Sequence, residues 1–424
     1  MKYIADLHIH SKYSLATSKN TNIQNLTKQA KIKGVDILGT GDFTHPLWLK
    51  ELKRSLEPAE PGLFKPKKLE TRYILSAEIS SIYSKNDKTR KIHNIILAPS
   101  FKIVEKINRE LKKIGNLKSD GRPILKLDAK ELAKIVLNAS KDCLIIPAHI
   151  WTPWYSLLGS KSGFNSIEEC FEEYTKYIYA VETGLSADPE MCWKCSFLDK
   201  TALISNSDSH SPKKIGREAT LFEGNKISYN LIRGAIKNAS PNALKKKNKK
   251  LDLEIKKTIE FFPQEGKYHW DGHRKCDISL NPEQSLKYNN ICPRCGKPLT
   301  IGVMNRVLQL ADRKTKPKHT TPFQKLIPLE DIIIDSLNVK SRTKKAEEQY
   351  NNLINNIGNE ISILTEAKIE DIKKASTDKI GEGIERARKQ NIFLQPGYDG
   401  EFGKIDIFKD PQKQKTKQNQ NTLF

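Results

Sequence analysis

The sequence predicts an α/β enzyme. A barrel of alternating strands and helices fills roughly the first 240 residues, and a small metal-binding segment and a mainly helical C-terminal region follow it. Three observations lead there. Apolar runs of strand length recur through the first half, and most end in His, Asp or Glu. Helix-like stretches, such as residues 25–33 and 128–138, separate them. Residues 305–395 instead read as mostly helical, with helix spacing in runs such as Val307-Leu308-Leu310-Ala311 and Leu353-Ile354-Ile357. Strand, ligand and helix in repetition is how a barrel enzyme assembles a site at the carboxyl ends of its strands.

The first run places Asp6, His8 and His10 in alternation with Leu7 and Ile9. On a strand, that alternation puts the three polar groups on one face. Two imidazoles at i and i+2 at a strand end read as half of a metal site. Next, Ile37-Leu38 runs into Gly41, Asp42 and His45; Tyr73-Ile74-Leu75 into Glu78; Leu144-Ile145-Ile146 into His149; and Leu203-Ile204 into Asp208 and His210. His93 departs from the pattern, because it precedes Ile95-Ile96-Leu97. A lone His is ordinarily a core or surface residue, and a lone Asp after a strand a helix cap. Six of the nine histidines fall within the first 210 residues beside such runs, and that joint occurrence points to a polynuclear metal site. Imidazole plus carboxylate without thiolate suits zinc, manganese or iron. One carboxylate, with Glu78 the first candidate, bridges two ions. Two or three ions close together suit phosphoester hydrolysis and need no separate general base.

Composition narrows the partner. The 424 residues carry a formal charge of +23 with a pI near 9.5. Part of this is a Lys-, Asn- and Ile-rich bias, but on a phosphoesterase it fits a polyanionic substrate. Nucleic acid comes first and a membrane surface a distant second. No apolar stretch approaches the ~18 residues of a membrane span, so no membrane partner is expected. The first strand begins almost at once, unlike a signal peptide. Seven cysteines without a secretory signal suggest a reducing compartment, hence an intracellular, cytoplasmic and nucleoid-associated protein. A phosphate-binding loop of the G-x-x-x-x-G-K-[ST] type is lacking, which argues against an ATPase or helicase.

His8-Ile9-His10, Gly41-Asp42 with His45, Glu78, His93, His149 and Asp208-Ser209-His210 resemble the motifs of the PHP (polymerase and histidinol phosphatase) family. The resemblance implies a distorted (β/α)7 barrel holding two or three divalent ions (zinc, manganese or magnesium). Carried over, one ion takes His8, His10, Glu78 and Asp208, which are also the expected catalytic set. A second takes Glu78, His93 and His149, and a third takes His45 and His210. In this chain Asp42 and His45 are split by two residues, so either is the candidate ligand. The stretch Ser14-Leu15-Ala16-Thr17 lacks the extra His that three-ion relatives often carry. The closer resemblance, over residues 1 to about 410, is to the endonuclease Q branch. It rests on residues 41–46 (Gly-Asp-Phe-Thr-His-Pro), residues 181–189 (Val-Glu-Thr-Gly-Leu-Ser-Ala-Asp-Pro) and the cysteine segment below. It implies cleavage of double-stranded DNA on the 5′ side of deaminated bases (uracil, hypoxanthine, xanthine) and abasic sites. The alternative is a PHP-type small-molecule phosphatase, which leaves the second half of the chain without purpose. A non-catalytic DNA-binding adaptor is disfavoured by the near-complete ligand set.

The expected division is a barrel over 1–240, a basic linker over 241–260, a zinc-ribbon-like domain over 261–304, a helical DNA-binding domain over 305–408 and a disordered tail over 409–424, in a monomer. The linker carries Lys245, Lys246, Lys247, Lys249 and Lys250. His273 and Cys276, then Cys292 and Cys295, form two x2-spaced pairs that read as a structural zinc site, with His269 the rival for His273. Cys192 and Cys195, at a helix start after Asp188-Pro189, lack a second pair and read as neither zinc nor redox residues. Trp151, Trp154 and Tyr155 follow His149, so at least one is expected to line the lesion pocket or wedge the duplex, with the barrel rim as the alternative. Gly381 and Gly383 are expected at a helix start that could hold a phosphate, or in a turn. Tyr398, in a glycine- and aromatic-rich segment, is expected against a nucleotide or in a packed turn. The last five residues, Gln420 to Phe424, resemble a truncated sliding-clamp peptide.

Overall fold

The computed structural model describes residues 1–246 and 251–409. Seven strands form the barrel: β1 (Lys2–Asp6), β2 (Ile37–Gly39), β3 (Arg72–Lys85), β4 (Lys88–Ala98), β5 (Leu144–Pro147), β6 (Ala180–Glu182) and β7 (Ala202–Ile204). β1, β2 and β3 run parallel, as do β6 and β7, whereas β4 is antiparallel to both β3 and β5. The amide of Ile150 donates to the Glu182 carbonyl at 3.1 Å, which links β5 to β6. A parallel bridge between Ile9 and Ser209 closes the ring. The inverted strand explains why His93 precedes its apolar run: on a reversed strand, the N-terminal half reaches the mouth where the other strands end.

The core divides as a barrel requires. The smaller buried cluster draws from every barrel strand, with Ala5, Ile37, Ile74, Ile95, Ile146, Ala180 and Ile204. The larger one joins outward residues such as Leu38, Tyr73 and Leu75 to the surrounding helices. Those helices follow from spacing and caps. α1 (Ile23–Lys33) buries Ile23, Leu26, Thr27 and Ala30, one stripe at helical period, and starts where the Asn22 side chain accepts from the Asn25 amide. Ser100 and Asp128 cap α2 (Phe101–Leu111) and α3 (Ala129–Ala139) in the same way.

The expected linker is a correction. Residues Pro241–Lys245 form a short helix, and β9 (Leu253–Glu260) lies antiparallel to β8 (Ala219–Gly224), itself antiparallel to β1. Lysines masked this strand: Leu253, Thr258, Ile259 and Glu260 are buried while Lys256 faces solvent. The rest of the lysine run, 247–250, lies outside the described residues. After the hairpin of β10 (Asp271–His273) and β11 (Ile278–Leu280), β12 (Phe323–Lys325) joins β9 in parallel, so one sheet runs from the barrel into the C-terminal region.

That region is mainly helical, with α4 (Val303–Leu310), α5 (Leu329–Ser336), α6 (Lys344–Asn356), α7 (Glu360–Thr365), α8 (Ile369–Ala375) and α9 (Asp378–Arg388). Gly381 and Gly383 sit inside α9, not at its start, and neither expected role applies. A Cβ on Gly383 would come within 2.8 Å of Ser336 Oγ and 3.1 Å of Ile332 Cγ2, so the glycine permits close packing of α9 on α5. Arg313 docks the region on the barrel through a two-pronged contact with Asp199, at 2.6 Å for each oxygen. No helix among the described residues is long and apolar enough to cross a membrane. The clamp-like residues 420–424 lie outside the described residues.

Candidate metal centre

The strand ends gather two groups of ligand atoms that share one carboxylate. Glu78, within β3, points its two oxygens in different directions. Oε2 lies 3.5 Å from His8 Nε2 and 3.2 Å from His10 Nε2. Oε1 lies 2.7 Å from His93 Nδ1 and 3.1 Å from His149 Nε2. Asp208 Oδ1 completes the first group, 3.6 Å from His8 Nε2 and 3.1 Å from His10 Nε2. His8, His10, Glu78 and Asp208 form one set that could hold a metal, and Glu78, His93 and His149 another, each with its ligand atoms within 4.8 Å of one another. The buried Nε2 of His8 and Nδ1 of His93 have no hydrogen-bond partner among the described residues. Two buried ring nitrogens that face carboxylates without a hydrogen bond fit divalent cations between them.

The first two imidazoles are aimed from behind. His8 Nδ1 lies 3.0 Å from Glu182 Oε1, and His10 Nδ1 lies 3.0 Å from Asp42 Oδ1. A carboxylate on the far nitrogen fixes the tautomer that leaves Nε2 free for a metal. Glu182 is itself held by the His149 amide at 2.9 Å and the Asn206 side chain at 2.9 Å. His149 (φ 32°) and Asp208 (φ 46°) take left-handed backbone angles, an uncommon conformation that clusters at functional sites. Gly184 permits the first, since a Cβ there would come within 2.4 Å of His149 Cβ.

Electrostatics follow from this crowding. Burial opposes charge on His8 and His10, but the surrounding carboxylates outweigh it and hold both imidazoles well above their ordinary pKa. Burial likewise opposes the Glu78 carboxylate, and the histidines around it push it well below the usual range. Burial wins at His93, which is pushed down to about 4.

Several expected residues stand elsewhere. Asp6 is not at the centre; it accepts from the amides of Ser207 and Gly216 at 3.0 and 2.9 Å. Both oxygens of Asp42 are engaged, Oδ1 by His10 and Oδ2 by the Ser11 amide (2.6 Å) and Ser14 Oγ (2.9 Å). His45 stacks on Tyr13 at 4.4 Å with its Nε2 facing the Lys118 carbonyl at 3.3 Å, whereas His210 stands beside His10 at 4.5 Å. The pair assigned to a third ion therefore has different neighbours, and neither joins a set of three ligands among the described residues.

Trp151 corrects the pocket expectation: it is fully buried, and its indole donates to Cys192 Sγ at 3.3 Å. Trp154 is 37% exposed and meets Tyr268 edge-on at 5.4 Å; Tyr155 lies 4.9 Å from the His93 ring. Tyr398 is in a packed turn, its hydroxyl donating to Asp277 at 2.8 Å. Cys192 and Cys195 are free, buried thiols.

Two residues were missed. Glu182 ends the apolar pair Ala180-Val181 in the same strand-then-acid rhythm as the ligands, so a signal existed. Arg122 had none. It sits in a loop pinned by the Gly121 amide to the Tyr13 carbonyl at 2.9 Å, and its Nη1 lies 3.3 Å from Glu78 Oε2.

Away from the barrel, His273, Cys276, Cys292 and Cys295 converge as a third set of potential ligands around the β10–β11 hairpin. His269 is not among them; it is buried elsewhere.

A distorted seven-stranded barrel whose strand ends present two ligand sets around one shared carboxylate defines the class, a PHP-type metal-dependent hydrolase. The chain is 31% identical to the lesion-specific endonuclease PfuEndoQ of Pyrococcus furiosus, over 96% of this chain and 95% of that one, with a TM-score of 0.84. It is 30% identical to an endonuclease Q solved with a 27-mer duplex substrate bearing an abasic lesion at its active site, over 97% and 100%, with a TM-score of 0.83. The chain belongs to the endonuclease Q family of metal-dependent nucleases. The uncharacterized protein MJ0043 of Methanocaldococcus jannaschii is 36% identical over 271 residues, 62% of this chain, which spans about a third (32%) of that longer relative. The family model for the MJ0043 C-terminal domain matches residues 328–391.

Proposed function

We propose that this protein is a DNA repair endonuclease that hydrolyses the phosphodiester on the 5′ side of deaminated bases (uracil, hypoxanthine, xanthine) and of abasic sites in double-stranded DNA. The observation that carries the reading is the likeness, over nearly the whole chain, to an endonuclease Q with an abasic duplex at its active site. The basic surface and the shared carboxylate are consistent with it.

His8, His10, Glu78 and Asp208 would hold one divalent ion, and Glu78, His93 and His149 the other. Bound there, the ions would supply an acidified water as nucleophile and neutralise charge on the scissile phosphate. The chain's own residues do the rest. Asp42 and Glu182 hold the imidazoles in the metal-binding tautomer. Arg122 is a fixed cation at the mouth. It spends one donor on Glu78, and its remaining donors can take a non-bridging phosphate oxygen as charge develops. Glu78 and Asp208 are kept ionised by the histidines around them.

The test is product mapping on an end-labelled duplex with one central deoxyinosine, beside one with an abasic site and a phosphorylated amino alcohol. A single nick 5′ of each lesion, with the monoester untouched, is expected. Monoester hydrolysis with intact duplexes would instead make the protein a small-molecule phosphatase.

A further inference from the structure

Behind the metal centre lies a pair of buried acids that holds no metal ligand directly. Ala219 pairs with Ile259 across the antiparallel ladder of β8 and β9, so Glu218 stands opposite Glu260. Directly opposed side chains of such a ladder have Cβ atoms about 4.5–5.5 Å apart. Both residues are fully buried. Each carboxylate has one oxygen satisfied and one bare. Glu218 Oε1 accepts from the Phe261 amide at 3.0 Å, and Glu260 Oε2 accepts from the hydroxyls of Thr183 (2.9 Å) and Ser205 (3.1 Å). Glu218 Oε2 and Glu260 Oε1 have no hydrogen-bond partner among the described residues.

The two hydroxyls on Glu260 matter for what adjoins them. Thr183 follows Glu182, the carboxylate behind His8. Ser205 precedes Asn206, whose side chain donates to Glu182 at 2.9 Å and accepts from the Leu7 amide at 2.8 Å. Glu260 therefore ties the ends of β6 and β7 together beside the residues that aim the first imidazole.

Two ionised carboxylates facing each other away from water are costly without a counter-charge. The charged or titratable groups around this pair are Glu182, Asp188, the Cys192 thiol and Arg217. Arg217 is directed elsewhere, donating to the carbonyls of Ser207 at 2.9 Å and Asp208 at 3.5 Å. Burial, then the facing Glu260, pushes the Glu218 carboxyl well above the usual range. Burial, with Asp188 adding to it against the hydroxyls of Thr258, Thr183 and Ser205, pushes Glu260 up to about 7. We propose that Glu218 and Glu260 share one proton between Glu218 Oε2 and Glu260 Oε1, and that this hydrogen-bonded pair is a positioning device that holds Thr183 and Ser205, and through them Glu182, in place behind His8. One carboxyl–carboxylate hydrogen bond satisfies both bare oxygens and leaves one buried charge instead of two.

Neither test uses DNA, so both are independent of the nuclease reading. In Glu218→Gln a permanent amide N–H stands where the shared proton stood, and Glu260 Oε1 can accept from it. A carboxyl whose folded pKa is raised contributes stability that is complete below the unfolded pKa and is lost as pH rises through the folded one. The variant is spared that loss, while His8 and His10 act alike in both proteins. The Tm of the metal-free variant minus that of the metal-free wild type should therefore rise by about 2–4 °C between pH 6 and pH 9. A difference that is flat or falls with pH overturns the shared proton. So does a wild-type Tm that climbs with added potassium or calcium at fixed ionic strength and loses that response in Glu218→Gln, since a cation would then sit between the carboxylates. The positioning role is read by manganese titration, with the free ion followed by electron paramagnetic resonance. Glu260→Ala should weaken barrel affinity by ~3- to 10-fold, and Glu260→Gln, whose Oε1 still accepts from Thr183 and Ser205, should stay within ~2-fold of wild type. Equal weakening in both, or none in either, overturns it. If Glu260→Ala does not fold, Thr183→Val removes one of the same contacts and takes its place in the comparison.

Discussion

The protein has two kinds of ligand cluster, and they are built in opposite ways. The barrel cluster draws His8, His10, Glu78, His93, His149 and Asp208 from strand ends spread across 200 residues of chain, and all but Asp208 are buried. Glu182 and Asp42 orient two of its ligands, His8 and His10, and the strands that carry them pack on a large buried apolar core. The hairpin cluster draws His273, Cys276, Cys292 and Cys295 from one short segment, with Cys295 exposed and Cys292 alone fully buried. A segment with so little core depends on its ion to fold, whereas a preformed barrel site can bind, lose and exchange ions. Chemistry belongs in the first, and the second is suited to holding a surface in place.

The sharpest way to break this contrast is the shared carboxylate. Glu78→Gln should lower DNA cleavage by on the order of 10³-fold or more, because both ligand sets lose a charged oxygen. Metal analysis should show the barrel ions gone and the ion of the hairpin cluster retained. Next comes Arg122→Ala, expected to lower kcat by about 10²-fold with metal content unchanged, and to be partly restored by added guanidinium. Loss of barrel metal in that variant would instead make Arg122 a support for Glu78. Asp42→Asn should weaken barrel metal affinity by about 10- to 100-fold, since it frees the His10 tautomer, and should not touch the zinc.

Proton linkage sharpens the comparison further. Without metal, the folded pKa values of His8 and His10 lie above their unfolded values. Their contacts with carboxylates therefore stabilise the metal-free protein fully below about pH 6.5 and are lost as pH rises through the folded values. Metal binding needs the same imidazoles neutral, so uptake releases protons and the rise in Tm on adding manganese should be larger at pH 8.5 than at pH 6. A rise that shrinks with pH would contradict the ligand assignment. The smallest effect is expected at Trp151→Phe, which should cost stability, on the order of 1 kcal/mol, and change cleavage by less than ~3-fold.

The barrel was legible because its strands repeat one rhythm, apolar run then ligand, and because imidazole and carboxylate at strand ends are rare in combination. The rhythm also carried Glu182, though its role in holding His8 needed the fold. What escaped notice has physical reasons. β9 was hidden because its solvent face is lysine, which reads as linker when the buried face is thin. Trp151 was misplaced because proximity to His149 in sequence does not fix which way a side chain turns; its indole packs inward on Cys192. Arg122 reaches Glu78 only through a loop docked on Tyr13, a contact no local pattern encodes. Asp42 stands one atom layer behind where a ligand would be, and only coordinates separate a ligand from the group that aims one.

The account stands most directly on Glu78 serving two cations at once. Anomalous diffraction from crystals grown with manganese and zinc would test it. Two ions in the barrel, one on each Glu78 oxygen, and a separate zinc on His273, Cys276, Cys292 and Cys295 are expected; a single barrel ion, or two that leave one Glu78 oxygen without a metal, would contradict it.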